Sequence, residues 1–76
     1  MPHISVKCYP KNLTKEQLDA YVADIVRVTG DRLGTPADAI SVSYAEIPAE
    51  DWKDKVYDPE IKPNLGRLAK KPGYEM

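Results

Sequence analysis

The sequence predicts an α/β fold (loosely α+β): a single βαβ unit with a C-terminal helical extension, its sheet completed by oligomerisation. Three observations predict it. Residues 3–9, HISVKCY, and 40–46, ISVSYAE, alternate apolar and polar side chains, the pattern of half-buried strands. Between them, Leu18, Tyr21, Val22, Ile25 and Val26 recur at helical spacing, which calls for an amphipathic helix. Finally, 76 residues make one domain, and a domain so small usually leans on a metal, disulfides or partner subunits.

Each element has local signals at its ends. Pro10-Lys11-Asn12 breaks the first strand, and Thr14 followed by Gln17 three residues later forms a capping box. A helix is therefore expected over Lys15–Leu33, with Leu33 continuing the apolar stripe and Gly34 ending it. Thr35-Pro36-Ala37-Asp38 reads as a short helical turn with proline in its first position. In the second strand, Ile40, Val42 and Tyr44 point one way and Ser41, Ser43 and Ala45 the other.

Regularity fades after residue 46. Pro48–Trp52 reads as a turn or 3₁₀ segment, and Asp58-Pro59-Glu60 as the cap and start of a second helix reaching Ala69, distorted by Pro63. Pro72-Gly73 marks a closing turn before an exposed tail. A strand–helix–strand crossover of this length makes the two strands parallel and the connection right-handed. Two strands alone leave both edges open, so partner subunits should complete the sheet.

Composition narrows the function. Eleven basic and twelve acidic residues give a net charge of −1 and are interspersed, an arrangement unsuited to nucleic acid or a membrane surface as partner. No apolar stretch has membrane-spanning length and the N-terminus lacks a signal-peptide core. Cys8 is the only cysteine and His3 the only histidine, so neither an internal disulfide nor a zinc cluster is expected. The lone thiol suits a reducing compartment, and a cytoplasmic protein is expected.

Pro2 is the residue with chemical promise. Strand parity puts Ile4, Val6 and Cys8 on one face and His3, Ser5, Lys7 and Tyr9 on the other. If the pleat extends to residue 2, Pro2 joins the apolar face. Methionine is generally removed ahead of a small residue such as proline, leaving a rigid secondary amine at the terminus. Free α-amino groups titrate near about 7.7–8.0, and burial or nearby cations push that value down. Such a base, poised near neutral pH, can take a proton from carbon next to a carbonyl.

The opening MPHISVKCYP, the segment ISVSYAEIPAEDW, and DPEIKP with the tail KKPGYEM together resemble the tautomerase superfamily, in its 4-oxalocrotonate tautomerase group. The likeness covers essentially the whole chain. It implies a βαβ fold that assembles as a homo-oligomer, a dimer in preference to a hexamer. It also implies a cofactor-independent keto–enol or 1,3-proton shift on a small 2-oxo acid, with Pro2 as general base and acid.

By the same resemblance, an arginine before the first helix holds a substrate carboxylate. Lys11 is the nearest cation here, supplying the charge without the bidentate fork of arginine. A second arginine, in the middle of the second strand, is replaced by Ser41. The aromatic after that strand is matched by Trp52, which can wall the pocket. A monocarboxylate with an aromatic tail, phenylpyruvate-like, suits this set better than a dicarboxylate such as 2-hydroxymuconate. Two classes stay open: a tautomerase working through Pro2, and a catalytically weak oligomer of the same fold that serves as a binding or structural module. Lys11 also reads as a solvated loop lysine, and Trp52 as a packing residue.

Overall fold

A computed structural model describes all 76 residues. Strand β1 (His3–Cys8) leads through a loop to helix α1 (Lys15–Leu33), then a 3₁₀ turn (Ala37–Ala39) and strand β2 (Ser41–Glu46). The strands pair in parallel, with His3 opposite Ser41 and Cys8 opposite Glu46. This is the expected βαβ unit. Residues Tyr9 and Ile40 fall just outside the strands, because the ladder ends where the chain turns.

The helix begins and ends as its caps dictate. Thr14 Oγ1 accepts from Gln17 N at 3.1 Å while Gln17 Oε1 accepts from Thr14 N at 2.9 Å, closing a reciprocal capping box. At the other end Gly34 takes φ 63°, the left-handed conformation open to glycine. Both Gly34 N–H and Thr35 N–H then donate to Gly30 O. Pro36 lies just before the 3₁₀ turn, as its N-cap.

The helix lies over the apolar face of the sheet. Tyr21 meets Tyr44 edge-to-face, with ring centroids 6.4 Å apart. Along β1, Ile4, Val6 and Cys8 are half-buried while His3, Ser5 and Lys7 are exposed, and Pro2 follows the half-buried set. Helix stripe residues Leu18, Val22, Ile25 and Val26 are only half-buried, and Tyr21 and Leu33 are exposed. The stripe expected to form a core is therefore uncovered in part, because two strands are too narrow to cover a helix of this length.

The chain after β2 departs most from expectation. A 3₁₀ turn at Ala49–Asp51 is followed at once by a π-helix over Lys53–Ile61 and a 3₁₀ helix over Lys62–Arg67. A helix starting at Asp58 and reaching Ala69 does not form; the helical run starts and stops earlier. Pro59 sits inside the π segment, where it has no N–H to donate and its ring presses on the preceding turn. Widening to i→i+5 bonding accommodates it. Val56 and Tyr57, in this segment, are the two buried residues of the chain.

One copy makes a thin, open slab of 37 × 32 × 18 Å. Its Cα radius of gyration is 14.2 Å, against about 11 Å for a compact chain of this length. Its accessible surface is 5805 Å², against roughly 4,700 Å² for a folded monomer of 8.5 kDa. The surplus, about 1,100 Å², is at least what each partner covers in a standard interface, about 800 Å². No helix is long and apolar enough to cross a membrane.

Candidate active site

Pro2 sits at the upstream edge of the sheet. Its carbonyl accepts from Ser41 N at 3.1 Å, the first bond joining the two parallel strands. The ring is half-buried, whereas Met1 projects fully into solvent at 103% relative exposure. Met1 is thus free of the sheet, while Pro2 is tied to it through its carbonyl. Across the strands His3 Nδ1 and Ser41 Oγ lie 2.7 Å apart, on the opposite face. Ser41, where the resemblance implies an arginine, offers only a small hydroxyl, already paired with His3.

Lys11 and Trp52 lie at the other end. Both follow the downstream end of a strand, and the strands are parallel. From Pro2 to Cys8 is six residues of extended chain, about 20 Å at roughly 3.3 Å per residue. One chain therefore does not bring Pro2 together with Lys11 or Trp52.

Lys11 lines a cleft of about 350 Å³ between the sheet and α1, walled by Val6, Cys8, Leu13, Tyr21 and Tyr44. The turn that presents it depends on Asn12 at φ 54°, a left-handed conformation that asparagine tolerates better than most residues. Glu46 anchors the turn by accepting Lys11 N–H at 3.2 Å and the Tyr44 hydroxyl at 2.9 Å. Cys8 Sγ donates to Tyr44 Oη at 3.4 Å. Hydrogen bonding to Cys8, then burial and the Glu46 carboxylate, raise the Tyr44 phenol above its ordinary value. It stays neutral and donating at physiological pH. Lys7, Lys15, Lys53 and Lys55 are tied up in ion pairs, whereas Lys11 Nζ has no carboxylate within ion-pair distance and is available to an anion.

Trp52 lines a different cleft, of about 550 Å³, with Lys7, Tyr9, Tyr74 and Met76. Its ring meets Tyr9 edge-to-face at 5.2 Å, and its Nε1 donates to Tyr74 Oη at 3.0 Å. Tyr74 in turn packs against buried Tyr57, with centroids 5.9 Å apart. An ion pair between Lys7 and Glu60 fastens the extension to β1. Cys8 borders both clefts, so they are neighbours separated by the end of β1.

Tyr9 and Tyr74 line the Trp52 cleft and were not among the residues singled out from the sequence. The tail is exposed as expected, with Tyr74 at 45%, and within it the Tyr74 hydroxyl oxygen accepts from the Trp52 indole. Parity offered a clue for Tyr9, which shares the Lys7 face. For Tyr74 the only clue was an aromatic directly after the Pro72-Gly73 turn.

Comparison with known proteins agrees with this architecture. Residues 2–53 match the family described as tautomerase enzyme, a match that starts at Pro2 and ends beside Trp52. The chain is 50% identical over 74 residues to Tautomerase PptA of Pectobacterium atrosepticum, covering 97% of each chain. It is 43% identical over 76 residues to Tautomerase PptA of Enterobacter sp. (strain 638), and 42% identical to that of Escherichia coli O127:H6, covering 100% of each chain in both cases. With its βαβ unit, its open sheet and its proline-led first strand, the chain belongs to the tautomerase family.

Proposed function

We propose that this chain is a cofactor-independent tautomerase interconverting keto and enol forms of a small 2-oxo acid, phenylpyruvate-like or 2-hydroxymuconate-like, with Pro2 as base and acid once Met1 is removed. The observation that carries the proposal is the placement of Pro2: half-buried and bonded to Ser41 N, behind a fully exposed Met1. A secondary amine so placed loses part of its hydration, which disfavours its cation and keeps a lone pair free near neutral pH.

The proton balance is simple. In the keto-to-enol direction the amine takes a proton from C3, the C–H electrons become the C2–C3 double bond, the 2-oxo oxygen takes a proton from water, and the ammonium returns its own to the solvent. The reverse reaction returns the proton from the ammonium to C3. Nothing is oxidised or reduced, so no cofactor is called for. Lys11 holds the substrate carboxylate, and Trp52 supplies an apolar wall that keeps water away from the amine.

Bringing these groups together takes a second copy. Edge-to-edge antiparallel pairing of two such sheets sets the Pro2 end of one copy against the Lys11 and Trp52 end of the other. The open strand edges and the surplus surface of the single chain support that assembly, a homodimer with two shared sites.

Intact mass and an enol–keto assay test the proposal together. The expected result is a mass lacking one methionine and activity on phenylpyruvate that falls roughly 10²-fold or more in Pro2→Ala, the scale of general-base catalysis. Retained methionine in normally processed protein, or full activity in the variant, would overturn it. A second reading, a catalytically weak binding module, is favoured by Ser41: its hydroxyl is engaged with His3 and offers no charge to polarise substrate. Saturable binding of phenylpyruvate without turnover would select that reading.

A further inference from the structure

Tyr74 lies beyond the segment that matches the tautomerase family, residues 2–53, yet it makes the only hydrogen bond to the Trp52 indole. Its ring is braced from behind by Tyr57, which is 3% exposed. Trp52 is thereby held from two sides, edge-on by Tyr9 and at Nε1 by Tyr74. Without the Tyr74 contact the segment after Pro72 has little to keep it on the sheet. It makes no side-chain hydrogen bond other than the one from Trp52 Nε1 to Tyr74 Oη.

We propose that Tyr74 is a positioning and specificity-determining residue: by pinning the Trp52 indole it folds the C-terminal segment into a wall of the aromatic cleft, and that wall selects acids carrying a flat aromatic ring over short aliphatic 2-oxo acids. The chemistry follows from the lining. Tyr9, Trp52 and Tyr74 present ring faces and edges, and Met76 a polarisable thioether, surfaces that reward an aromatic guest. Lys11, the cation proposed to hold the carboxylate, lines the neighbouring cleft across Cys8, so a three-carbon acid is too short to add contacts with these rings. The inference rests on the reading that Trp52 borders the substrate site.

The test is Tyr74→Phe, which keeps the ring against Tyr57 and removes only the oxygen that accepts from Trp52. Because Trp52 is the sole tryptophan, its fluorescence reports the contact directly. The variant is expected to show faster acrylamide quenching of that fluorescence. Its KM for phenylpyruvate should rise roughly two- to tenfold, the worth of one hydrogen bond, with kcat within about twofold, and its KM for pyruvate should stay put. Tyr74→Ala should move the same readings further. Equal changes for both acids, or quenching identical to the parent, would overturn the inference. Fluorescence titration with phenylpyruvate separates it from the activity reading. Binding weakened in Tyr74→Phe supports the inference even if neither protein turns over, whereas normal turnover and binding in the variant defeat it and leave the tautomerase reading intact.

Discussion

The backbone N–H of Ser41 donates to the carbonyl oxygen of Pro2 at 3.1 Å, 39 positions apart in the chain. This bond opens the parallel ladder one residue before β1 begins. Chain termini are usually mobile and solvated; here the residue behind Met1 is part of the sheet. In the proposed mechanism this terminus acts as a base, and the bond ties the residue to the sheet through its carbonyl, without using the nitrogen.

Lys11 is the available cation beside the sheet's downstream end. Lys11→Ala is expected to raise KM for phenylpyruvate by roughly tenfold to a hundredfold, as for loss of a hydrogen bond to a charged group, with a smaller effect on kcat. Lys11→Arg, which adds a planar fork, should restore binding. Steady-state kinetics on the two variants check this; an unchanged KM in Lys11→Ala would return the residue to the solvated surface.

Two buried residues and an excess of exposed surface are too little to hold one copy together. Native mass is expected at twice 8.5 kDa, and the thermal midpoint should rise with protein concentration, as it does when folding and association are linked. Sedimentation and melting over a hundredfold dilution series measure both. A monomer with a concentration-independent midpoint would contradict the shared site.

The end of α1 depends on two glycines for different reasons. Gly34 needs φ 63°, so Gly34→Ala should cost about 1 kcal/mol. A Cβ on Gly30 would stand 2.9 Å from Thr35 O, a backbone atom held there by its own turn. Gly30→Ala should therefore destabilise at least as much, because backbone must move to relieve the contact. Denaturant titration of the two variants gives the ranking.

Tyr44 makes stability depend on alkaline pH. Its phenol value is raised in the folded chain above 10.0, the ordinary value, so folding favours the protonated form. That contribution is complete below pH 10 and declines as pH rises from there toward the folded value. Urea midpoints should fall as pH rises above 10, and the fall should be shallower in Tyr44→Phe, which has no proton to lose. Lys15 and Lys53 are also raised, by Asp19 and Asp58, but these pairs are exposed and screened and add little.

Several features were legible because they are local. The Thr14–Gln17 capping box, the Gly34 stop, strand parity and the Lys15–Leu33 helix all depend on residues within a few positions of one another. Parity alone was enough to seat Pro2 with Ile4 on the half-buried face. The extension was read poorly. Pro59 reads as a helix start, yet the chain is already helical at Lys53, in a π segment that also carries the buried Val56 and Tyr57.

The sequence by itself determined the βαβ order, the helix ends, the face on which Pro2 lies and the need for a partner, since periodicity, caps and chain length carry those directly. Tertiary structure alone decided that the tail returns to Trp52 through Tyr74, and that Lys11 and Trp52 border separate clefts at the end of β1 away from Pro2. Those facts arise from contacts between segments distant in the chain, whose strength depends on the packing around them rather than on any local pattern.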